Sequence, residues 1–190
     1  MKSKCRTLIG GNKMTKTKWN VDAAHSEIGF SVKHMMISRA KGTFNDFEAD
    51  IEMDPNNLED ANIKFTIDVK SIDTKNEDRD NHLRSDDFFD VDNYPKITFN
   101  ATNIKKKSEE QYDVTGDLTL RGTTKPVTFD ITFGGEQTDP WGNTVAGFSG
   151  ETSINRKEFG LTWNTTLEKG GVLVGEDVKI NLELELHKQA

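Results

Sequence analysis

The chain has 190 residues, of which 33% are hydrophobic and 30% are charged, and its formal net charge is −7. This length suits one domain with a substantial core, and the acidic balance argues against nucleic acid as a partner because phosphate neutralisation needs a basic face. Cys5 is the single cysteine, so an intramolecular disulfide is excluded.

The N-terminal segment MKSKCRTLIGGNK is basic, and its apolar part is confined to residues 7–11. A secretory signal requires an apolar core of about 7–15 residues. We therefore expect residues 1–16 to form a disordered leader, or to lie upstream of a start at Met14, and the domain to occupy residues 17–190. No run approaches the ~20 apolar residues of a membrane span, so we expect a soluble, cytoplasmic protein.

The first strand-like stretch is IGFSVKHMMI, residues 28–37. As a strand it places Phe30, Val32, His34 and Met36 on one face, because side chains alternate between the two sides of a strand. A histidine thus stands in an apolar stripe. Three roles remain open for it: a core residue with a satisfied hydrogen bond, a polar group that orients a ligand in a cavity, and a catalytic acid or base.

Period-2 alternation, the pattern of strands with one buried face, continues along most of the chain. It is clearest in residues 47–53, 63–69, 97–101, 112–120, 127–133 and 178–186. Turn residues separate these runs at 54–57, 121–126, 133–135 and 139–143. The spacing predicts about eight consecutive antiparallel strands, arranged as a sandwich or as a closed barrel that is wide enough for one small ligand.

Two segments do not fit a strand. Residues 76–89, NEDRDNHLRSDDFF, are too polar and predict a short helix or helical turn that caps one end of the sheet. Residues 167–175, LEKGGVLVG, predict a glycine-interrupted loop with an apolar tip.

The polar residues match no catalytic or metal-binding template. The histidines have no i, i+2 or i+4 spacing and no cysteine partners, which argues against a zinc site. Residues 147–150 lack the G-x-S-x-G register of a hydrolase. We therefore expect no metal, no cofactor and no catalytic residue. The four histidines are His25, His34, His82 and His187.

Aromatic residues fall on the predicted apolar faces, and dense core packing accounts for about half of them. The others would line a cavity. These residues are Phe30, Phe65, Phe99, Phe129, Phe148 and Trp163.

The segment DAAHSEIGFSVKHM, residues 22–35, resembles the D-x-x-H-S-x-I-x-F-x-V-K-H-M opening of the YceI-like, polyisoprenoid-binding family. Several further blocks agree in order, so the resemblance extends from about Trp19 to Leu186. These blocks are residues 42–44 (GTF), 71–74 (SIDT), 79–89 (RDNHLRSDDFF), 94–99 (YPKITF), 116–122 (GDLTLRG) and 155–161 (NRKEFGL).

The resemblance implies an all-β fold, an extended antiparallel eight-stranded lipocalin-like β-barrel with one or two short helical segments. It also implies a long apolar tunnel that binds, carries or stores an amphiphilic isoprenoid lipid such as a polyprenyl phosphate or an isoprenoid quinone. Relatives commonly form dimers, so we expect a homodimer. Many relatives carry a secretory signal that is not recognisable in this chain.

The expected ligand-binding residues form two groups. The first would line the tunnel: Phe30, Val32, His34, Met36, Phe65, Ile67, Phe99, Phe129, Phe148 and Trp163. The second would meet a polar headgroup: Arg79, His82, Arg84 and Arg156. The cations of the capping segment have an alternative role in pairing with neighbouring carboxylates, and Arg156 has one in anchoring a turn.

The leading hypothesis is thus a lipid-binding barrel that is not an enzyme. Two alternatives stay open: an enzyme that acts on a hydrophobic substrate with His34 as acid or base, and a filled barrel that serves as an interaction module.

Overall fold

Antiparallel strands close into a ring of eight in the computed structural model, which describes residues 16–190. Around the ring the order is β1 (Thr17–Val21), β4 (Phe47–Met53), β5 (Asn62–Asp68), β7 (Lys96–Lys106), β8 (Gln111–Leu120), β9 (Thr123–Thr138), β10 (Thr144–Asn155) and β11 (Val174–Lys188), and pairing of β11 with β1 closes it. The all-β, eight-stranded antiparallel barrel is therefore confirmed. The predicted leader, apart from Lys16, and the start at Met14 lie outside the described residues.

Eleven strand segments make up this barrel. They are β1 (Thr17–Val21), β2 (Glu27–His34), β3 (Ser38–Phe44), β4 (Phe47–Met53), β5 (Asn62–Asp68), β6 (Ile72–Asp73), β7 (Lys96–Lys106), β8 (Gln111–Leu120), β9 (Thr123–Thr138), β10 (Thr144–Asn155) and β11 (Val174–Lys188). Short 3-10 turns lie at Ala23–His25, Leu58–Asp60, Val69–Ser71 and Arg156–Phe159.

Three sides of the barrel are long strands interrupted by a kink, which is why eleven segments form eight sides. β1 continues into β2 after the 3-10 turn Ala23–His25, and β3 continues into β4. β11 pairs with β2 between Val174 and Glu183, and its last residues, Leu186 to Lys188, pair with β1. β5 pairs with β4 while β6 pairs with β3, so the barrel extends beyond the closed ring on one side.

The one α-helix in the described part of the chain, α1 (Glu77–Arg84), covers the extended end of the barrel next to β6. Asn76 caps it by accepting a hydrogen bond from the Arg79 backbone N–H at 3.0 Å. Acidic residues in its first turn and basic residues in its last turn complement the helix dipole. No helix within residues 16–190 has the length and apolar composition needed to cross a bilayer.

Two predictions about local structure are wrong. Met36 does not continue the first strand: β2 ends at His34, and Met36 lies exposed in the following turn with φ of 62°. Residues 133–135 are not a turn either, because β9 runs through them. Gly134 is an extra residue opposite β10, and Gly135 adopts φ of 98°, which is a β-bulge.

The predicted helix at 76–89 is confirmed only over 77–84, after which Ser85 caps it.

Gly116 on β8 illustrates how tightly one wall of the barrel is packed. A Cβ atom at this position would lie 2.5 Å from the carbonyl oxygen of Asn100 and 2.5 Å from the ring of Phe99. At Gly147 on β10 no atom lies within 4 Å of the corresponding position.

We predict that Gly116→Ala destabilises the barrel by about 1–3 kcal/mol, because the neighbouring backbone must move to admit a methyl group. Urea denaturation monitored by circular dichroism measures the change. The matched control is Gly147→Ala, which we expect to change stability by less. Equal effects of the two variants would contradict the packing described for β8.

Candidate functional site

A cavity of about 720 Å³ lies inside the barrel. This volume is within the range of small-molecule binding sites, roughly 300–1,000 Å³. The inward faces of β2, β5, β7, β8, β10 and β11 supply most of its wall, and nearly all of these side chains are apolar. A space of this size argues against the filled-barrel alternative.

Most of the predicted site residues surround this cavity, and two do not. Met36 and Arg84 lie outside its lining. The predicted residues that line it are Phe30, Val32, His34, Phe65, Ile67, Arg79, His82, Phe99, Phe129, Phe148, Trp163 and Arg156.

The two sides of the cavity differ in how tightly they are packed. On one side Phe99 and Phe129 are buried and meet edge to face, with ring centroids 5.2 Å apart. On the other side, Leu182 of β11 and Phe148 of β10 are only half-buried although they point inward. Their exposed surface faces the cavity, which leaves apolar surface available to a ligand.

Polar lining residues gather at the end of the barrel where α1 lies. Lys33, Asn76 and Asp78 are exposed to solvent and also line the cavity. We take them as the rim of its mouth. The cavity therefore combines an apolar interior with one polar end.

The guanidinium of Arg79 lines the cavity beside this mouth and is held in place by Thr74. Its Nε donates to Thr74 Oγ1 at 2.8 Å, and one terminal nitrogen donates to the Thr74 carbonyl at 2.8 Å. Buried Asp80 accepts from the backbone N–H of Thr74 at 2.9 Å. The other terminal nitrogen makes no hydrogen bond within residues 16–190, so it is available to a ligand.

His82 and Trp163 form an aromatic cluster with Phe88 at the same end. The His82 ring lies 4.7 Å from that of Trp163 and 5.0 Å from that of Phe88, both edge to face. Its Nε2 is 2.9 Å from a carboxylate oxygen of Asp87. His82 thus realises the predicted pairing with a neighbouring carboxylate while it also lines the cavity.

Arg156 is only 4% exposed and is bonded entirely to backbone carbonyls. Its guanidinium donates to Leu161 at 2.6 Å, Gly175 at 2.7 Å, Trp163 at 2.9 Å and Val174 at 3.2 Å. Burial lowers its pKa, an effect that the charge of Glu176 opposes. The predicted anchoring role is therefore present, and its positive charge borders the cavity without a carboxylate in contact.

The His34 imidazole lines the cavity and has no hydrogen-bond partner among the described residues. Every fully buried side-chain nitrogen or oxygen in residues 16–190 has a partner. The ring nitrogens of His34 must therefore be accessible. This geometry removes the role of a satisfied core histidine. The roles of a polar group that orients a ligand and of an acid or base remain.

Arg84, in contrast, is used to attach α1 to the barrel. It donates to the carbonyls of Lys70 and Ile72 and to the side chain of Asn81, each at 3.1 Å. These bonds hold its guanidinium against the segment before α1 and away from the cavity.

The comparisons with known proteins agree with this architecture. A model of the YceI-like domain matches residues 19–186. The chain belongs to the YceI-like family. A UPF0312 protein of Staphylococcus epidermidis is 44% identical over 170 residues, covering 89% of this chain and 96% of the relative. A UPF0312 protein of Staphylococcus aureus is 42% identical over the same coverage.

Solved structures show the same barrel fold. The YCEI protein of Campylobacter jejuni aligns with a TM-score of 0.73 at 34% identity, over 99% of this chain and all of that one. Burkholderia cenocepacia BcnA aligns at 0.76 with 28% identity, over 87% of this chain and 98% of that one. A polyisoprenoid binding domain of Saccharophagus degradans aligns at 0.67 with 15% identity, over 91% and 99%.

The YceI-like opening motif contributes Asp22 and His25 to a second polar cluster, on the outside of the barrel. Ligand atoms of Asp22, His25 and Glu185 all lie within 4.8 Å of one another, which is close enough to hold a metal ion. His187 Nε2 lies 3.3 Å from Asp22 Oδ2 and 3.2 Å from Glu185 Oε1. Sequence spacing did not indicate this cluster because its members come from opposite ends of the chain.

Other lining residues were also missed. Ile180, Leu182 and Leu184 of β11 line the cavity and belong to an alternating run that predicts a strand but does not by itself mark a cavity wall. The aliphatic side chains on the inward face of that strand gave a usable signal. The exposed rim residues gave none, because nothing in their local sequence distinguishes them from ordinary surface.

We predict that Arg156→Lys destabilises the protein by about 2–4 kcal/mol, since an ammonium group cannot reach four carbonyls arranged around a planar guanidinium. Chemical denaturation measures the loss. Its neighbour Lys157, which forms an exposed ion pair with Glu176 at 2.6 Å, provides the control. Lys157→Gln should cost under about 1 kcal/mol, and a comparable cost for both would show that the carbonyl bonds matter little.

Proposed function

We propose that this protein binds an amphiphilic isoprenoid lipid, with the tail in the barrel cavity and the polar head near α1. The observation that carries the proposal is a cavity of about 720 Å³ whose wall is apolar except at one end. An amphiphile matches both parts of such a site, whereas a small polar metabolite matches only the mouth.

The tail would supply most of the affinity. Each methylene transferred from water to an apolar site contributes about 0.8 kcal/mol, so a five-carbon isoprene unit contributes about 4 kcal/mol before the costs of binding. The half-buried side chains of β10 and β11 offer the required contact surface. Specificity for tail length would follow from the depth of the cavity.

The head is best matched by a polyprenyl phosphate. Arg79 has a free guanidinium nitrogen at the mouth, and Arg156 brings a second cation that no carboxylate contacts. Charge-assisted bonds to phosphate are about twice as strong as neutral ones. Asp78 at the rim opposes an anion, but it lies exposed, where water screens its charge. An isoprenoid quinone, which needs neutral donors such as His34, is the second candidate.

The comparisons support the lipid class. Membership of the YceI-like family and a barrel shared with a polyisoprenoid binding domain both favour an isoprenoid over other amphiphiles. The homodimer and the cytoplasmic location stay predictions.

We also propose that the protein carries its ligand without altering it. A catalytic histidine usually has a nucleophile or an orienting carboxylate within hydrogen-bond reach, and the His34 ring has neither within residues 16–190. His82 has a carboxylate at 2.9 Å, but its ring is held between two aromatic rings.

Binding of geranylgeranyl phosphate and of geranylgeraniol, its counterpart without phosphate, tests the proposal. We expect Leu182→Trp, which fills the cavity, to weaken binding of both probes at least tenfold. Glu183→Trp adds the same side chain on the outer face and should leave both affinities unchanged. Arg79→Gln should weaken binding of the phosphate selectively.

Two results would overturn the proposal: absence of binding by the wild-type protein, or equal effects of the two tryptophan substitutions. Recovery of chemically unchanged probe, measured by mass spectrometry after incubation, is expected of a carrier. Turnover that disappears in His34→Gln, while binding persists, would establish the enzyme instead.

A further inference from the structure

An apolar tip projects from the barrel beside the cavity mouth. We define the tip as Met35, Met36 and Ile37, which connect β2 to β3, together with Val172. All four side chains are exposed, and Ile37 is 85% exposed. The two loops support each other: the backbone N–H of Met35 donates to the Leu173 carbonyl at 2.8 Å, and Met36 packs on Gly171.

Met35 and Met36 are unusual residues for the backbone conformation of the β2–β3 turn. Met35 and Met36 both have positive φ, 53° and 62°, and Ile37 N–H donates to the His34 carbonyl at 3.3 Å. A turn of this kind strongly favours Asn-Gly, because side chains with a Cβ are strained at positive φ. Turn geometry therefore does not explain two methionines, and strain at an exposed site points to a function.

The charge around the tip differs from that of the whole chain. Residues 33–41 contain Lys33, Arg39 and Lys41 and no carboxylate, although the chain carries a formal charge of −7. The loop that carries Val172 adds one carboxylate, Glu168, and one cation, Lys169. The acidic first turn of α1 contributes Asp78 to the lining of the same cavity. An anionic surface would meet the cations of residues 33–41 together with the exposed apolar side chains of the tip.

We propose that the tip inserts into the surface of an anionic lipid bilayer and brings the cavity mouth to the membrane. His34, Lys33 and Leu173, which adjoin the tip directly, line the cavity. A lipid tail could then move between bilayer and barrel without crossing water. The proposed membrane docking depends on the tip alone. Lipid transfer as the purpose of docking rests on the proposed lipid binding.

Flotation of the full chain with vesicles of phosphatidylcholine and phosphatidylglycerol tests this inference. We expect the wild type to float with these vesicles, and to float less with pure phosphatidylcholine or at high salt. Met35→Asn combined with Met36→Gly should reduce flotation at least fivefold. Because this pair suits the turn, its melting temperature should equal or exceed that of the wild type, which excludes misfolding as the cause.

Trp141→Ser is the matched control. Trp141 is 83% exposed and lies in the β9–β10 turn, at the opposite end of β11 from the tip. It should float like the wild type. Unchanged flotation of the Asn-Gly variant would overturn the inference, as would self-association of the wild type that the variant abolishes, because a second copy would then cover the tip.

Geranylgeranyl phosphate binding in solution separates this inference from the proposed function. The Asn-Gly variant should bind the probe as the wild type does. Flotation without probe binding would contradict the lipid-carrier proposal alone, and probe binding without flotation would contradict the docking alone.

A second and independent inference concerns the cluster of Asp22, His25, Glu185 and His187 on the outside of the barrel. His25 Nδ1 lies 2.8 Å from Asp22 Oδ2 and 4.0 Å from Glu185 Oε1. His187 Nε2 lies 3.3 Å and 3.2 Å from the same two oxygens. Two imidazoles thus share two carboxylates.

Asp22, His25 and Glu185 form the set whose ligand atoms all lie within 4.8 Å of one another, which suits a metal centre with three protein ligands. With zinc–nitrogen and zinc–oxygen distances of about 2.0–2.2 Å, neighbouring ligand atoms lie about 3.3–3.5 Å apart. The four nitrogen–oxygen separations of 2.8–4.0 Å lie on both sides of that value, and His187 lies beside both carboxylates. Nitrogen and oxygen ligands of this kind favour a divalent transition ion such as Zn²⁺.

The backbone positions these side chains before any ion binds. Asp22 N–H donates to the Glu185 carbonyl at 2.8 Å, and Glu185 N–H donates to Ser26 Oγ at 3.0 Å. The cluster lies where β1 meets β11, a seam of three residue pairs. We infer that one divalent cation binds here and ties the closing seam of the barrel.

Zinc titration of the full chain by calorimetry tests this inference, with Cys5→Ser introduced throughout because a thiolate would compete for zinc. We expect one Zn²⁺ per chain and a rise in melting temperature. His25→Gln and His187→Gln should each weaken binding at least tenfold and abolish the rise. Asp130→Asn, which removes an exposed carboxylate on the outer face of β9, should leave both unchanged.

Weak binding of several ions, or zinc binding that survives both histidine substitutions, would overturn the site. The variants can be compared at equal folded fraction by circular dichroism, so loss of structure is distinguished from loss of a ligand.

Discussion

The pairing of β11 on both of its sides is the constraint on which the rest of this structure depends. One edge of β11 pairs with β10, while its other edge pairs with β2 and then with β1. Closure leaves no free edge in the ring, and it makes every inward side chain face another wall. Because of the kink between β1 and β2, the two parts of this strand run in different directions. The kink lengthens the barrel, so the cavity extends beyond the ring towards α1.

The arginines at the α1 end have different roles, which depend on the backbone carbonyls that lie within hydrogen-bond distance of each guanidinium. Arg84 is fully used in attaching the helix, and Arg156 is fully used in joining the loop of Leu161 and Trp163 to the start of β11. Arg79 is only partly used. A polar end is thus built mainly from groups that hold the backbone. The guanidinium of Arg156 already donates its hydrogen bonds to backbone carbonyls. Its positive charge still acts on the cavity, because electrostatic interactions are weakly screened where water is excluded.

Strands were predictable where burial imposes alternation, as in β8 and β11. β3 was not, because its inward positions include Ala40 and Gly42, and a Cβ at Gly42 would lie 2.4 Å from the ring of Phe30. The Phe30 ring occupies the space that a larger inward side chain would otherwise fill. β3 therefore lacks the large apolar residue at this position that would indicate a strand. Met36 was placed wrongly because its turn lacks the usual Asn-Gly signal. The outer cluster with His25 and His187 was invisible because chain closure, not local spacing, brings it together. The tunnel residues followed from alternation combined with the family resemblance.

The half-buried wall formed by β2, β10 and β11 makes the hydrophobic core of this protein incomplete on one side. An apolar occupant would finish that core, much as a missing side chain would. The stability of the fold would then depend on how much of the protein has ligand bound, because a ligand that binds only the folded state shifts the unfolding equilibrium by mass action. The lifetime of the chain in a cell would in that case follow the local supply of its lipid, and its abundance would report that supply.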